Sequence, residues 1–309
     1  MNMTLVPTAA AARRHATRLR AAITALALVA PLAGCGGILD PQGPIGAANR
    51  TILLNALGIM LVIVVPTIIA TLAFAWWFRA GNPRARYLPH FAYSGRIELI
   101  VWSIPTLVIL FLGGVIWIGS HELDPAKPLN PSQKPLEVQV VSLDWKWLFI
   151  YPDQGVASVN DLVIPAGTPV HFSLTSASVM NVFFVPQLGS MIYTMNGMVT
   201  QLWLQADKTA DLPGLSAQYS GDGFSDMGFV VHAVPQQDFE AWVAKTRNNG
   251  PTLDPKSYGQ LAVQSRVAKP FTYGAVESAI FNAVAMQHLP PGPGPDSGRG
   301  GVDVHNRSE

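Results

Sequence analysis

Cysteine and charge are scarce in this sequence. Only one cysteine, Cys35, occurs among 309 residues, so no intramolecular disulfide can form. Charged residues make up 13% of the chain and hydrophobic residues 49%, which is unusually apolar for a soluble protein. The net charge of +1 gives no electrostatic basis for binding nucleic acid or a strongly acidic partner. These shortages point to membrane segments and exclude nucleic acid as a predicted partner.

Catalytic motifs are also missing. No glycine-rich phosphate loop follows a strand, and no nucleophile, base and orienting acid can be assembled. His171 and His232 fall in predicted strands without a second ligand at metal-binding spacing, which favours hydrogen-bonded structural roles. Met191, Met195 and Met198 could offer thioether ligands to Cu(I), although a role in filling the core is favoured. We therefore expect no catalytic residue on this chain.

The N-terminal segment resembles a lipoprotein export signal. Arginines precede the apolar run "AAITALALVAPLA", which is too short to span a bilayer. The "LAGC" that follows resembles the bacterial lipobox, which predicts a cleaved signal peptide at 1–34 and lipidation, for example by palmitate, at Cys35. Residues 35–50 would then form a lipidated periplasmic N-terminus. A small buried cysteine is the alternative, and the complete signal context disfavours it.

Two long uncharged runs predict a transmembrane hairpin over 51–120, with helices at about 52–78 and 97–120. The runs are 27 and 22 residues long. At about 1.5 Å per residue, both can cross a hydrocarbon core of about 30 Å. Pro66 and Pro105 lie inside the runs and predict kinks, which a membrane helix tolerates when neighbouring helices pack against it.

The charge pattern places the hairpin loop in the cytoplasm. The loop carries four arginines and no acid before Glu98. By the positive-inside rule both chain termini are then periplasmic, in agreement with the export signal. Glu98 lies at the cytoplasmic mouth of the second span, where it is either a functional carboxylate or an interfacial charge beside Arg96. The residues alone leave both interpretations open.

Beyond Pro125 the pattern changes to β-structure. Alternating segments such as "PVHFSLTS" predict short strands over 125–235, arranged as a Greek-key sandwich or barrel. Residues 236–288 read as a helical extension that begins with "QQDFEAWVAKTRNN". Residues 289–309 are rich in proline and glycine, and we expect them to be disordered. The predicted fold class is membrane α + β.

The order of these parts resembles subunit II of the haem-copper terminal oxidases. "RIELIVWSIPTLVI" is similar to the start of that family's second helix, and "VVSLDWKWLFIYP" is similar to its aromatic tract. "VMNVFFVPQLGSMIYTMNGM" is similar to the segment that carries its first copper ligand. The resemblance implies a cupredoxin-like β domain. It also implies a catalytic subunit I as partner, which would hold the haems and copper.

The members of this family that oxidise cytochrome c bind a binuclear copper centre through one histidine and a Cys-x3-Cys-x3-His-x2-Met loop, in which a glutamate supplies a carbonyl. By the resemblance, the corresponding positions here are Asn181, Tyr219, Gly221, Gly223, Met227 and Val230. Copper of this kind needs thiolate and imidazole ligands, and none remains. We therefore predict no metal or cofactor on this chain.

The missing ligands are typical of the quinol-oxidising branch. "LDPQGPIG", "SAQYSGDGFS" and the extension resemble the cytochrome bo-type ubiquinol oxidases. This implies a non-redox subunit of a proton-pumping complex in the bacterial inner membrane, with ubiquinol bound at subunit I. It also implies that Glu98 lies at the entrance of the K proton pathway. Three alternatives stay open: a menaquinol oxidase subunit II, a membrane-anchored Cu(I)-binding protein, and a structural lipoprotein.

Overall fold

The computed structural model describes most of the chain, namely residues 36–86, 88–265 and 269–292. The chain divides after Asp40 into two units. In the first unit the described residues contain one short helix, α1, Gly36–Leu39. The predicted signal peptide, Cys35 and residues 293–309 lie outside the described residues.

Two long apolar helices begin the second unit: α2, Pro44–Trp77, and α3, Gly95–Glu122. Both are long and apolar enough to cross a membrane. Helix α2 begins well before residue 52, because the polar residues ahead of the uncharged run continue the helix and proline is favoured at its first position. Helix α3 extends two residues beyond the predicted span at each end.

Both helices continue through a proline, Pro66 in α2 and Pro105 in α3. A proline inside a helix removes the hydrogen bond to the carbonyl four residues earlier. In each helix the next residue is a threonine, Thr67 or Thr106, whose hydroxyl donates to a carbonyl of the preceding turn at 2.8 or 2.7 Å. The accepting carbonyls belong to Ile63 and Trp102, each one residue after the carbonyl that the proline leaves free. The kinks themselves stay a prediction.

Ten strands form the β domain that follows. They are β1 Leu136–Leu143, β2 Lys146–Tyr151, β3 Val156–Val159, β4 Asp161–Pro165, β5 Val170–Ser176, β6 Asn181–Phe184, β7 Ile192–Thr194, β8 Thr200–Leu204, β9 Ala210–Ser216 and β10 Gly228–Val234. The extension adds α4 Gln236–Asn249, β11 Thr252–Leu253, α5 Pro255–Ala262, β12 Phe271–Tyr273, β13 Ala275–Val276 and α6 Ile280–Ala285.

The strands make two packed sheets, and the predicted sandwich is confirmed. The first sheet has the order β12-β3-β2-β1-β5-β8, and within it only β1 and β5 are parallel. The second has the order β4-β10-β9-β6-β7, and within it only β4 and β10 are parallel. The extension is not purely helical, because β12 joins the edge of the first sheet and β11 pairs with β13.

Strands β2 and β3 of the first sheet are buried on both faces. The inner face of the sheet packs against the second sheet around an aromatic cluster, in which the rings of Phe183 and Phe229 stack at 5.1 Å. Its outer face is covered by the extension, where Tyr258 and Phe281 pack against Leu148. Every residue of β2 is therefore buried, which explains why "KWLFIY" reads as a continuous apolar run.

A histidine on the outer face of the second sheet connects three strands. The ring nitrogens of His232 on β10 lie 2.6 Å from Asp211 Oδ1 on β9 and 2.9 Å from Asp161 Oδ1 on β4. Only the protonated ring donates through both nitrogens. Burial opposes that charged form, but the hydrogen bonds to Asp211 and Asp161 outweigh burial, and the pKa of His232 is raised above its usual value.

The contact of His232 with Asp211 and Asp161 should make the stability of the β domain depend on pH. A raised folded-state pKa contributes stability that is complete below the unfolded value of about 6.5 and is lost as pH rises through the folded value. We expect His232→Gln to lower the thermal midpoint more at pH 5.5 than at pH 8.5. The exposed His288 provides the control, since His288→Gln should shift both midpoints equally. If His232→Gln lowered the thermal midpoint equally at both pH values, the proposed contribution of protonated His232 to stability would be wrong.

Candidate functional site

The loop between β9 and β10, residues 217–227, is a well-formed structure. Its first residue is tied to β6 by the Ala217 amide, which donates to the Val182 carbonyl at 3.2 Å. Its ends are joined by the Ser216 amide, which donates to the Met227 carbonyl at 3.3 Å. Between these bonds the chain makes a short 3-10 turn, Phe224–Asp226. The loop therefore keeps a defined shape without any metal ligand set.

The indole of Trp145 fills the space beneath this loop. Trp145 has a φ of 64°, a backbone conformation that costs a residue with a side chain about 1 kcal/mol or more. Its ring is nonetheless buried, and its Nε1 donates to the Ser220 carbonyl at 3.1 Å. The side of the ring lies so close to Gly223 that a Cβ there would overlap it. The Trp145 ring therefore fits beneath the loop only because residue 223 is glycine.

Asn181 and Met227 correspond to the two histidine ligands of the copper-binding relatives. Both are buried, and both contact Ser216. The Ser216 hydroxyl donates to Asn181 Oδ1 at 3.3 Å, and Asn181 Nδ2 donates to the Val179 carbonyl at 3.3 Å. The Met227 sulfur lies 4.0 Å from the Ser220 hydroxyl. Both side chains thus have partners within the domain.

The other predicted positions do not converge on them. Tyr219 is 64% exposed and packs its ring edge-on against Phe224 at 5.6 Å. Gly221 has a φ of 104°, which favours glycine, so this position is fixed by backbone conformation. Val230 is half-exposed on the outer face of β10, where its neighbours along the strand point into the core.

These residues do not fit a binuclear copper centre. Such a centre requires thiolates and imidazoles, whereas only the thioether of Met227 is a soft donor here. Within 36–86, 88–265 and 269–292, no three histidine, cysteine, aspartate or glutamate residues are grouped as metal ligands. The chemistry of this donor set therefore differs from that of a binuclear copper site.

Glu98 occupies the first turn of α3. Its amide donates to the Ser94 carbonyl at 3.0 Å, and its side chain is exposed. A carboxylate in the first turn is favoured by the positive end of the helix dipole. The described residues form no ion pair between Glu98 and Arg96. The carboxylate is thus held at the helix end and remains open to a partner or to water.

An exposed set of large apolar side chains surrounds β7, the edge strand of the second sheet. We call it the apolar edge, and it comprises Met180, Met191, Tyr193, Met198 and Val199. The core role favoured from sequence is wrong for Met191 and Met198, which are 52% and 49% exposed. They lie on or beside an edge strand too short to bury them. Exposed apolar residues on a sheet edge are typical of an interaction surface.

The start of α2 is fastened to the β domain. The Gln42 amide donates to the Gln187 carbonyl at 2.8 Å, and the Gly46 amide donates to the Leu188 carbonyl at 2.9 Å. A Cβ on Gly46 would lie 2.8 Å from the Gln187 oxygen, so only glycine allows this approach. We call the contact between residues 42–46 and 187–189 the helix clamp.

Comparison with known proteins places this architecture in a family. The profile of the family "Cytochrome C oxidase subunit II, periplasmic domain" matches residues 152–234, which include Asn181 and the β9–β10 loop. Ubiquinol oxidase subunit 2 of Acetobacter aceti is 49% identical over 261 residues, covering 83% of this chain and 84% of that protein. The chain belongs to the ubiquinol oxidase subunit 2 family.

Further members of the family are similar over comparable lengths. Cytochrome bo(3) ubiquinol oxidase subunit 2 of Pseudomonas aeruginosa is 45% identical, covering 83% of this chain and 78% of that protein. Quinol oxidase subunit 2 of Bacillus subtilis is 34% identical, covering 78% of this chain and 77% of that protein. The family places this chain in a multi-subunit terminal oxidase, an oxidoreductase complex.

Sequence reasoning did not identify Trp145, Ser216 or the helix clamp. The two β-domain residues act through tertiary contacts between strands that are distant in the chain, and a single sequence carries no periodic signal for such contacts. For the clamp a partial signal existed, since "PQGPIG" places two glycines around the start of α2. Their spacing alone does not reveal what backbone approaches them.

The packing of Trp145 under the loop predicts a steric effect at Gly223. Gly223→Ala should destabilise the β domain by about 1–3 kcal/mol, because the added methyl group overlaps a buried ring. Gly228→Ala is the matched control, since its Cβ would meet only the Gly214 carbonyl at 3.7 Å. Urea denaturation of both variants tests this, and equal losses of stability would contradict the packing argument.

Proposed function

We propose that this chain is the non-redox subunit II of a proton-pumping haem-copper ubiquinol oxidase in the bacterial inner membrane. The complex would oxidise ubiquinol and reduce oxygen to water. The observation that carries the proposal is a family-matched β domain whose copper-ligand positions hold Asn181, Tyr219, Gly223 and Met227. The haems and copper of the complex, which supply its redox chemistry, would belong to subunit I.

The β domain would serve as a rigid cap on subunit I. Electron entry through this domain would need a metal centre, and the loop is filled instead by Trp145 and by internal hydrogen bonds. Electrons would therefore reach subunit I directly from membrane quinol. Cys35, if lipidated, would add an anchor at the periplasmic face of the inner membrane, where both chain ends are expected.

Subunit I is the partner expected along the hairpin and the apolar edge. The surfaces of α2 and α3 are largely exposed, including Trp102 at 71%. Helices with internal prolines and exposed aromatic residues need lipid or protein neighbours. The apolar edge offers a second patch of the kind found at subunit interfaces.

Glu98 is proposed to line the entrance of the K proton pathway. A carboxylate at the cytoplasmic end of a span is costly unless it faces water or a partner. The exposed Glu98 side chain, without an ion-pair partner among the described residues, supports this role.

Ubiquinol is the donor favoured over menaquinol. The relatives at 49% and 45% identity are named ubiquinol oxidases, whereas the Bacillus subtilis relative at 34% identity is named a quinol oxidase. The Cu(I)-binding alternative has less support, because two of its three methionines, Met191 and Met198, are exposed on the apolar edge. Among the described residues, no group of three histidine, cysteine, aspartate or glutamate side chains could hold a metal ion.

Oxygen uptake by the purified complex tests this proposal. Complex isolated in mild detergent through a C-terminal tag should consume oxygen rapidly with ubiquinol and not with reduced cytochrome c. The isolated chain should contain no stoichiometric copper by atomic absorption. Haem-free material without uptake, or two tightly bound copper ions per chain, would overturn the proposal.

A second experiment tests Glu98 in the same complex. Glu98→Gln keeps the size of the side chain and removes its proton-exchanging group, so proton uptake should slow severalfold. Glu122→Gln, at the opposite end of α3, is the matched control and should leave the rate unchanged. Proton uptake is measured by stopped-flow dye absorbance, and identical kinetics in wild type and Glu98→Gln would exclude the role.

A further inference from the structure

The connection between the two spans forms a pocket that the proposed function does not use. The pocket has a volume of about 530 Å³ and lies just beyond the C-terminal end of α2. It is lined chiefly by Phe78, Arg79, Asn82, Arg86, Leu88 and Phe91. No residue of α3 contributes to it, so it is separate from Glu98.

The pocket is strongly basic. Arg79 and Arg86 line it, Arg84 lies in the same connection, and Arg96 lies in the first turn of α3. Residues 78–97 include no aspartate or glutamate, so no carboxylate of this segment neutralises these arginines. A small concave site with this excess of positive charge is suited to an anion.

Arg79 is held in place at the helix end. Its Nη1 donates to the Trp76 carbonyl at 2.9 Å, and its Cζ lies 4.9 Å from the centre of the Trp76 ring. The carbonyl and the ring are uncharged, so these contacts orient the guanidinium and leave its charge in place. Pre-orientation lowers the entropic cost of binding an anion there.

The remaining walls are apolar and accessible. Phe78, Leu88 and Phe91 are 59%, 52% and 61% exposed. The ring of Phe78 is 6.2 Å from that of Phe74, one turn earlier on the apolar surface of α2. The apolar wall therefore continues from the arginines along the helix. This combination matches an amphiphile whose acidic headgroup and hydrocarbon chain bind side by side.

We propose that this pocket binds an anionic phospholipid, with its phosphate at Arg79 and Arg86 and an acyl chain along Phe74 and Phe78. The proposal rests on the membrane location in the proposed function. Basic residues at the cytoplasmic end of a span attract anionic lipids at the membrane surface. A soluble phosphate would use the arginines but leave the aromatic wall uncovered.

Native mass spectrometry of the purified complex, stripped of lipid in detergent and titrated with phosphatidylglycerol, tests this site. One tightly held phosphatidylglycerol per complex should bind about five-fold more weakly to Arg86→Gln and roughly 25-fold more weakly to the double variant Arg79→Gln/Arg86→Gln. The charge-keeping variant Arg79→Lys/Arg86→Lys should retain it. Lys245→Gln/Lys256→Gln, which removes two charges from the extension, is the matched control and should bind like wild type.

The outcomes separate the sources of the anion. Phosphatidylcholine should not replace phosphatidylglycerol, and millimolar inorganic phosphate should not displace it. Displacement by phosphate would overturn the lipid assignment in favour of a free-anion site. An unchanged phosphatidylglycerol affinity in Arg86→Gln would also overturn it. If the arginine variants instead lost a subunit from the complex, the arginines would be assigned to a protein contact and the lipid site would be wrong. Oxygen uptake with ubiquinol, measured on the same samples, reports separately on the proposed function.

Discussion

The helix clamp is the contact on which the arrangement of this molecule depends. Two backbone hydrogen bonds and the absence of a side chain at Gly46 bring the start of α2 against the loop after β6. Across the same contact, Ile45 occupies the space that a side chain at Gly189 would need. Because the joint is made from backbone and tight packing, the β domain is fixed on the end of a membrane helix rather than tethered by a flexible linker. The apolar edge therefore keeps a defined position relative to the start of α2.

A domain positioned in this way does not need a metal to hold its shape. The β9–β10 loop is closed by backbone bonds, and the space beneath it is filled by Trp145 in a conformation that a tryptophan seldom adopts. The burial of the indole and its bond to Ser220 offset the local strain. The packing of this loop therefore does not depend on copper-ligand residues at these positions. This is why a copper-type loop can persist in a subunit whose proposed role is structural.

Sequence patterns predicted the elements whose signals are local. The uncharged runs gave the hairpin, and the alternation in "PVHFSLTS" gave β5. The strands of the extension were missed, since β11 and β13 have two residues each and β12 has three, too few for any periodicity. They form by pairing with strands elsewhere in the chain, β12 with β3 and β11 with β13. A core role was predicted for Met191 and Met198, but both are exposed. The sequence pattern could not separate the two cases, because methionines occur beside aromatic residues both in cores and on binding surfaces.

Burial divides the molecule into a self-sufficient part and a dependent part. The β domain has one core between its sheets and a second beneath the extension, and both are made by residues of this chain. Of the described residues in α2 and α3, only Gly46 is buried, and that glycine belongs to the helix clamp. Nearly all the apolar surface of the hairpin thus remains for lipid and for subunit I. Because the clamp joins the two parts, any partner that fixes the hairpin also fixes the position of the β domain above it.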